Sequence, residues 1–209
     1  MNENDLAIVE ELMKRLKKFE VNHSSGLILI DTTFTQIAKS NLLLLKGFLE
    51  NEGRGGYFIA LDRPHQYMSY LLDMHDISHD RLWFIDTASP VSGQKKVKSK
   101  KVNFLEGPFH IEHLFNTFDL KADNQEGFPS ISTSGFIMID NISSILNYNS
   151  IEKVKKFIES FKKLVKDHSE LIGSLVLDSD SYPELYELIE SHIDMHITVD
   201  ELKEDKNNG

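Results

Sequence analysis

Apolar and polar residues follow two different patterns along the chain. Short, nearly uninterrupted apolar runs predict buried strands at 27–31, 57–61, 81–86, 135–140, 171–178 and 196–199. Between them, apolar residues recur every three or four positions, which predicts helices over 4–20, 36–51, 64–76, 111–120, 150–167 and 183–189. Uniformly apolar strands that alternate with helices are typical of a sheet covered on both faces. We therefore predict a three-layer α/β/α fold with a mostly parallel central sheet.

The length and composition are those of one globular domain. The 209 residues suffice for a single sizeable core, so we treat 1–209 as one domain with an N-terminal helix at 1–20 and a flexible tail at 201–209. No apolar run is long enough to span a bilayer, and the N-terminus lacks the apolar centre of a secretory signal. The absence of cysteine excludes disulfides and thiolate metal sites. We expect a cytoplasmic protein that does not insert into membranes.

The charge distribution argues against a general nucleic-acid binder. The net charge is −10, whereas such proteins neutralise phosphates with a basic surface. One local exception is the lysine-rich loop, residues 91–102, which contains Lys95, Lys96, Lys98, Lys100 and Lys101. Because no aromatic residues are interleaved with these lysines, we interpret the segment as a solvated loop. The alternative is an arm that binds anions or a partner.

The segment GLILIDTTFTQIAKS, residues 26–40, has the outline of a phosphate-binding loop. It consists of an apolar strand, a turn and a terminal Lys39-Ser40 pair. A loop that cradles phosphates points main-chain N–H groups inward and relies on glycine to do so. Thr33 and Ala38 occupy the two positions where glycine is expected. A β-branched threonine with positive φ costs roughly 1–2 kcal/mol, so the sequence predicts an impaired cradle.

Acidic residues lie where the predicted strands end. Ligands of parallel α/β sheets bind at the carboxyl ends of the strands. Aspartate at such a position also caps the following turn or helix in many proteins, so each residue alone has two readings. The aspartates concerned are Asp31, Asp62, Asp86, Asp140 and Asp178.

Three segments together resemble the KaiC and RecA-like ATPase superfamily over about residues 20–200. FIMID, which ends in Asp140 and is followed by NISSIL, is similar to the Walker B strand of that family. YFIALDRP places Asp62 and Arg63 where family members have a glutamate pair whose first member is the general base. TFTQIAKS, 33–40, matches the Walker A run without its glycines. The resemblance implies a RecA-like P-loop NTPase core.

The resemblance also implies roles for four residues. In an intact site Lys39 would reach the phosphates, Ser40 would ligate magnesium, Asp140 would be the Walker B carboxylate and Asp62 is the candidate catalytic residue. Because both the phosphate loop and the general-base position deviate, we expect no efficient ATP hydrolysis and no cofactor, with weak binding of ATP and magnesium left open.

The family likeness points to a function without catalysis. The chain is most similar to archaeal-type KaiC-like members with a degenerate Walker A, which implies a pseudo-ATPase in signal transduction that acts through protein partners or as a homo-oligomer. Two alternatives stay open. One is a divergent ATPase with an atypical phosphate loop. The other is a RecA-like protein that binds nucleic acid through the lysine-rich loop.

The histidines are spaced in a way that permits a metal site. Pairs three or four positions apart on one helix face can give two ligands to a metal. The first pair is interrupted by a predicted helix end, and no pair forms the HExxH zincin motif. We interpret them as surface histidines and predict no metal centre. The pairs are His75 with His79, His110 with His113, and His192 with His196.

Overall fold

The computed structural model describes residues 1–93, 99–115 and 129–204, and it contains a seven-stranded sheet in which every pairing is parallel. The strand order is β4-β3-β2-β5-β6-β1-β7. The strands are β1 (Gly26–Asp31), β2 (Gly56–Ala60), β3 (Leu82–Asp86), β4 (Val102–Phe104), β5 (Phe136–Asp140), β6 (Ile172–Leu177) and β7 (Met195–Thr198).

Helices cover both faces of this sheet. They are α1 (Glu3–Asn22), α2 (Ile37–Lys46), α3 (His65–Met74), α4 (Ala88–Val91), α5 (Ile151–Asp167), α6 (Pro183–Glu190) and α7 (Glu201–Glu204). A π-helical turn, Gly47–Asn51, continues α2 without a break. Single 3₁₀ segments lie at Phe34–Gln36, Pro108–His113, Ile131–Thr133 and Ile142–Asn147.

The strand period of two divides the core into two layers. In β1, Ile28 and Ile30 face α1, α2, α3 and α7, whereas Leu27 and Leu29 face α5 and α6. All four side chains are buried because both faces of the sheet are covered. The predicted three-layer α/β/α architecture is therefore confirmed.

Local differences from the predicted elements have physical causes. The sequence pattern missed β4, since three residues that follow a run of lysines show no apolar periodicity. The helix predicted at 111–120 is a 3₁₀ segment, Pro108–His113, and 116–120 lie outside the described residues. In the predicted flexible tail, 201–204 form α7 because Leu202 is buried against the core. The lysine-rich loop is shorter than its predicted bounds of 91–102, because Val91 ends α4 and Val102 starts β4. Lys95, Lys96 and Lys98 lie outside the described residues.

Helix α1 is fixed at its start by a capping box. The side chain of Asn2 accepts from the Asp5 N–H, and the Asp5 carboxylate accepts from the Asn2 N–H. The apolar stripe of α1 is buried against the body, so this helix offers mainly its polar face for contacts. None of the helices in the described residues has the length and apolar character needed to cross a membrane.

Replacing Phe136 with alanine should destabilise the fold strongly. Phe136 is fully buried and stacks on Phe48 with ring centroids 4.6 Å apart, so the change leaves a cavity in the centre of the sheet. We expect a loss of about 3–5 kcal/mol in the free energy of unfolding, measured by urea denaturation. Val21→Ala, at a position 85% exposed, is the matched control and should change it by less than about 0.5 kcal/mol.

Candidate functional site

The carboxyl edge of the sheet gathers the five aspartates predicted there. Three of them end their strands, Asp178 follows β6 directly, and Asp62 lies two residues beyond β2. Most of their carboxylate oxygens accept hydrogen bonds from other residues of the chain. Asp31 accepts from the Ser179 N–H at 3.0 Å and from its hydroxyl at 2.5 Å. The aspartates thus hold together the loops at this edge.

The connection from β1 to α2 becomes helical within a few residues of the strand. Thr33 is extended, with φ −63° and ψ 149°, and Phe34 to Gln36 already form a 3₁₀ turn that enters α2 at Ile37. Of the eight residues that match Walker A, only Thr33 precedes the helical turns. Positive φ angles occur elsewhere in the described residues but not in this segment. The main chain here turns directly into a helix.

A carboxylate faces the first amide of this turn. The Phe34 N–H donates to Asp178 Oδ2 at 2.8 Å. Asp178 also accepts from the Ser181 N–H at 3.0 Å and the Ser181 hydroxyl at 2.9 Å. Burial raises the pKa of Asp178, but these hydrogen bonds outweigh it and hold the pKa below the usual value. A negative charge therefore lies against the turn where a phosphate-binding loop would offer N–H groups to an anion.

Lys39 is turned toward the N-terminal helix. Its Nζ lies 2.5 Å from Asp5 Oδ1, in an ion pair whose acidic partner is largely buried. Burial raises the pKa of Asp5, but the Lys39 ammonium and the Asn2 amide outweigh it and leave that pKa below its ordinary value. The predicted phosphate-binding lysine thus links α2 to α1.

Ser40 and Asp140 are both buried, and each has a partner on another element. The Ser40 hydroxyl donates to Thr32 Oγ1 at 3.0 Å. The Asn41 amide donates to Asp140 Oδ1, whereas Asn41 Oδ1 is buried without a partner among the described residues. Asp140 is only 6% exposed. The Walker B position and the Walker A helix are therefore joined by a direct contact.

Asp140 holds its proton more tightly than an ordinary aspartate. Its pKa is raised to about 7, chiefly by burial and also by the nearby charge of Asp62, against the opposing effects of the Asn41 hydrogen bond and the Arg63 charge. Near neutral pH about half of the molecules carry a neutral acid at this position. A metal ion that binds this carboxyl group has to displace the proton.

Asp62 and Arg63 lie just after β2, at the carboxyl edge of the sheet. Asp62 Oδ2 lies 3.5 Å from Arg63 Nε, and both side chains are about one-third exposed. The Arg63 guanidinium lies 5.0 Å from the centroid of the Tyr67 ring, a distance typical of a cation–π contact. Asp62 lies near enough to Asp140 for its charge to raise the pKa of Asp140. Lys39 does not join these two carboxyl groups, because it pairs with Asp5.

Sequence reasoning missed two members of this edge. Asn41 contacts Asp140, and its one visible signal is a polar residue directly before four leucines on an otherwise buried helix. His65 donates its N–H to Asp86 Oδ2 at 2.9 Å, and its ring Nδ1 lies 2.6 Å from the same oxygen. Asp86 therefore caps the start of α3 from a neighbouring strand, a long-range contact with no local signal.

Metal ligands do not cluster in the part of the chain that the structure describes. No group of three histidine, aspartate or glutamate side chains there is arranged to hold an ion. His79 lies 3.0 Å from Asp73, and His196 lies 3.5 Å from Asp31, so both are engaged with single carboxylates. The side chains of the predicted pair His110 and His113 lie outside the described part of the structure.

Comparison with solved structures places this sheet order in a known fold. The chain is similar to the KaiC-like protein PH0186 of the hyperthermophilic archaeon Pyrococcus horikoshii, with 12% identity, a TM-score of 0.56 and coverage of 84% of this chain and 70% of that one. The chain has a KaiC-like, RecA-type fold. No family model and no curated protein sequence matches it.

Two further proteins from Pyrococcus horikoshii are similar in fold to this chain. PH0321, solved in complex with an unknown peptide, has 14% identity and a TM-score of 0.60, over 90% of this chain and 82% of that one. PH0250 has 12% identity and a TM-score of 0.54, over 88% and 86% respectively. The family resemblance drawn from FIMID, YFIALDRP and TFTQIAKS is confirmed as a likeness of fold. The roles of Lys39, Ser40, Asp62 and Asp140 stay predictions.

Asp140→Asn should remove a pH dependence of stability. A carboxyl whose folded pKa is raised stabilises the fold at low pH, and that contribution is lost as pH rises from the unfolded value of 3.8 toward about 7. The shift in the pKa of Asp140 from 3.8 to about 7 corresponds to a loss of about 4 kcal/mol in the free energy of unfolding over this pH range. Urea unfolding of both proteins between about pH 4 and pH 8 should show the variant gaining stability relative to the wild type as pH rises. A constant difference across that range would contradict the buried, proton-holding state.

Proposed function

We propose that the protein is a RecA-like module that does not turn over ATP and acts through contacts with other proteins, in a signalling or regulatory role. The observation that carries this proposal is the direct entry of β1 into the helical turn at Phe34, with the Phe34 amide donated to Asp178. That geometry takes away the concave row of N–H groups on which phosphoryl transfer by this fold depends.

The charges at the site support the same conclusion. A triphosphate bound against the turn at Phe34 would be repelled by the Asp178 carboxylate. Lys39, the lysine predicted to bind the phosphates, is paired with Asp5. Freeing Lys39 leaves the Asp5 carboxylate, which is only 10% exposed, without its counter-ion. Binding a nucleotide in the usual pose therefore requires several favourable contacts to be broken first.

A stripe of large side chains on α3 is the surface we assign to a partner. Tyr67, Tyr70 and Met74 follow each other at spacings of three and four residues and are 40%, 61% and 56% exposed. Arg63 lies beside this α3 stripe, against the Tyr67 ring. Tyrosine, methionine and arginine are enriched in protein interfaces, which supports this assignment. The unknown peptide held by PH0321 is further support that a protein of this fold binds polypeptides.

Titration with magnesium-ATP tests the absence of a nucleotide site. We expect no saturable heat up to millimolar ATP in isothermal titration calorimetry, and no phosphate release above the buffer rate. Lys39→Ala is the paired variant, and it should behave as the wild type does. Micromolar binding with turnover that Lys39→Ala abolishes would overturn the proposal.

A divergent ATPase is the second candidate, and the proximity of Asp62 to Asp140 favours it. Their charges interact, as expected for a general base placed near a Walker B carboxylate. This candidate predicts measurable phosphate release that Asp62→Asn and Asp140→Asn each abolish. Glu10→Asn, at an exposed position on α1, is the control and should leave any release unchanged. Wild-type protein without release eliminates this candidate.

Self-association through the α3 stripe is the simplest form of the proposed contact. Sedimentation velocity over a range of concentrations should show reversible association of the wild type, and Tyr70→Lys with Met74→Lys should shift it to the monomer. Val21→Lys, at a position 85% exposed on α1, adds the same charge elsewhere and should have no effect. If the double variant associates as the wild type does, the stripe is not the self-contact.

Binding of nucleic acid through the lysine-rich loop is the weakest candidate. Of the two described lysines there, Lys101 pairs with Asp80 at 3.2 Å and donates to the His79 carbonyl at 3.5 Å. A gel shift at low and at physiological salt, with 94–102 replaced by Gly-Ser, decides it, because phosphate contacts weaken steeply with salt. Unchanged affinity in the replaced protein excludes the loop.

A further inference from the structure

A cavity lies at the amino edge of the sheet, opposite the edge described above. It is open to solvent and has a volume of about 750 Å³, which is within the range of small-ligand sites. Four linkers form it, and they lead into β1, β2, β5 and β6. No predicted site residue lies there. Its walls are polar and come from Glu20, His23, Ser24, Gly53 to Gly55, Ser132 to Gly135, Ser169 and Glu170.

The charged side chains of this amino-edge cavity sum to a negative charge. Arg54 donates both terminal nitrogens to Glu20 in a two-pronged pair, and the second of these bonds is 2.8 Å long. The Glu20 hydrogen bond raises the pKa of Arg54, so its charge is fixed. Glu170 makes no ion pair within the described residues, although it lies close enough to Arg54 to interact with its charge. Two carboxylates therefore face one guanidinium whose terminal nitrogens are already engaged.

Three serine hydroxyls line the same cavity as the Glu170 carboxylate. The side chains of Ser24, Ser132 and Ser169 line the cavity and make no hydrogen bond to other described residues. Each hydroxyl oxygen has lone pairs available to a donor. Together with the Glu170 carboxylate they form a set of acceptors around one volume, which suits a ligand group with several N–H donors and a positive charge.

The backbone places the Glu170 carboxylate at this position. Glu170 has φ +65°, a left-handed conformation that is strained for a residue other than glycine. Its N–H donates to the Ser24 carbonyl at 2.7 Å, which ties the linker before β6 to the linker before β1. Residues strained in this way cluster at functional sites, which supports a role for the Glu170 side chain.

We propose that the amino-edge cavity binds an aliphatic ammonium group, supplied either by a polyamine or by a lysine side chain of a peptide. An ammonium offers three donors to Glu170 and the hydroxyls and neutralises the excess charge. A phosphate is repelled by that charge, and no group of three metal ligands lies among the described residues. The site is independent of the proposed function, because it shares no residue with the carboxyl edge or the α3 stripe.

Nuclear magnetic resonance titration of the full chain tests the site with two probes. One is spermidine, and the other is a short blocked peptide with one central lysine, with its Nε-acetylated form as the uncharged counterpart. We expect saturable shifts of the Gly53, Gly55 and Gly135 amides with at least one charged probe, and none with the acetylated peptide. Binding should weaken as salt is added, because the contact is electrostatic. Which probe binds identifies the source of the ammonium.

Variants of Glu170 separate binding from folding. Glu170→Gln should weaken binding about fivefold, whereas Glu10→Gln, which removes the same charge from a distant turn of α1, should not. Glu170→Gly should weaken binding as well and yet raise the midpoint of thermal unfolding, because glycine adopts positive φ without strain. Three results each overturn the proposal: absence of saturable shifts with both charged probes, equal affinity of Glu170→Gln and the wild type, or equal binding of the acetylated peptide.

Discussion

The hydrogen bond from the Phe34 amide to Asp178 determines how the chain leaves its first strand. Because β1 pairs with β6 in parallel register, Asp31 aligns with Leu177, and Asp178 comes to lie beside the start of the next turn. The carboxylate caps that turn, so the backbone bends at once into helical geometry. Helix α2 therefore begins soon after β1, and it carries Lys39, which pairs with Asp5 of α1.

The aspartates of the carboxyl edge show how one residue type serves different ends. Asp86 is fully buried and caps α3, and Asp31 holds the turn after β6. Asp140 is equally enclosed but has one amide partner, so it retains a proton instead of a full charge. The difference lies in the number of N–H and O–H groups that reach each carboxylate. An enzyme of this fold needs ionised carboxylates open to metal and water, and here most of them are used for support.

The sequence predicted the layers and most of the strands, because a buried parallel strand shows as a continuous apolar run such as FIMID or LVL. It also marked residues 33–40 as a Walker A-like run without glycines, which stays a prediction. It could not show that Thr33 is followed at once by a helical turn, since that depends on Asp178, which lies far away in the chain. The pairing of Asn41 with Asp140 and the cavity around Glu170 were hidden for the same reason. Both are made by residues that only the finished sheet brings together.

The strand order also has a consequence for the way the chain folds. In the part of the chain that the structure describes, β1 comes first among the strands, and its partners in the sheet are β6 and β7. During translation β1 therefore emerges before either of these partners, and its apolar residues have no strand to pair with until residues 172–198 have been made. Contacts between such distant segments also slow folding in solution. Loss of β7 would turn β1 into an edge strand, and the unpaired N–H and C=O groups of that strand would offer a template for pairing with another chain.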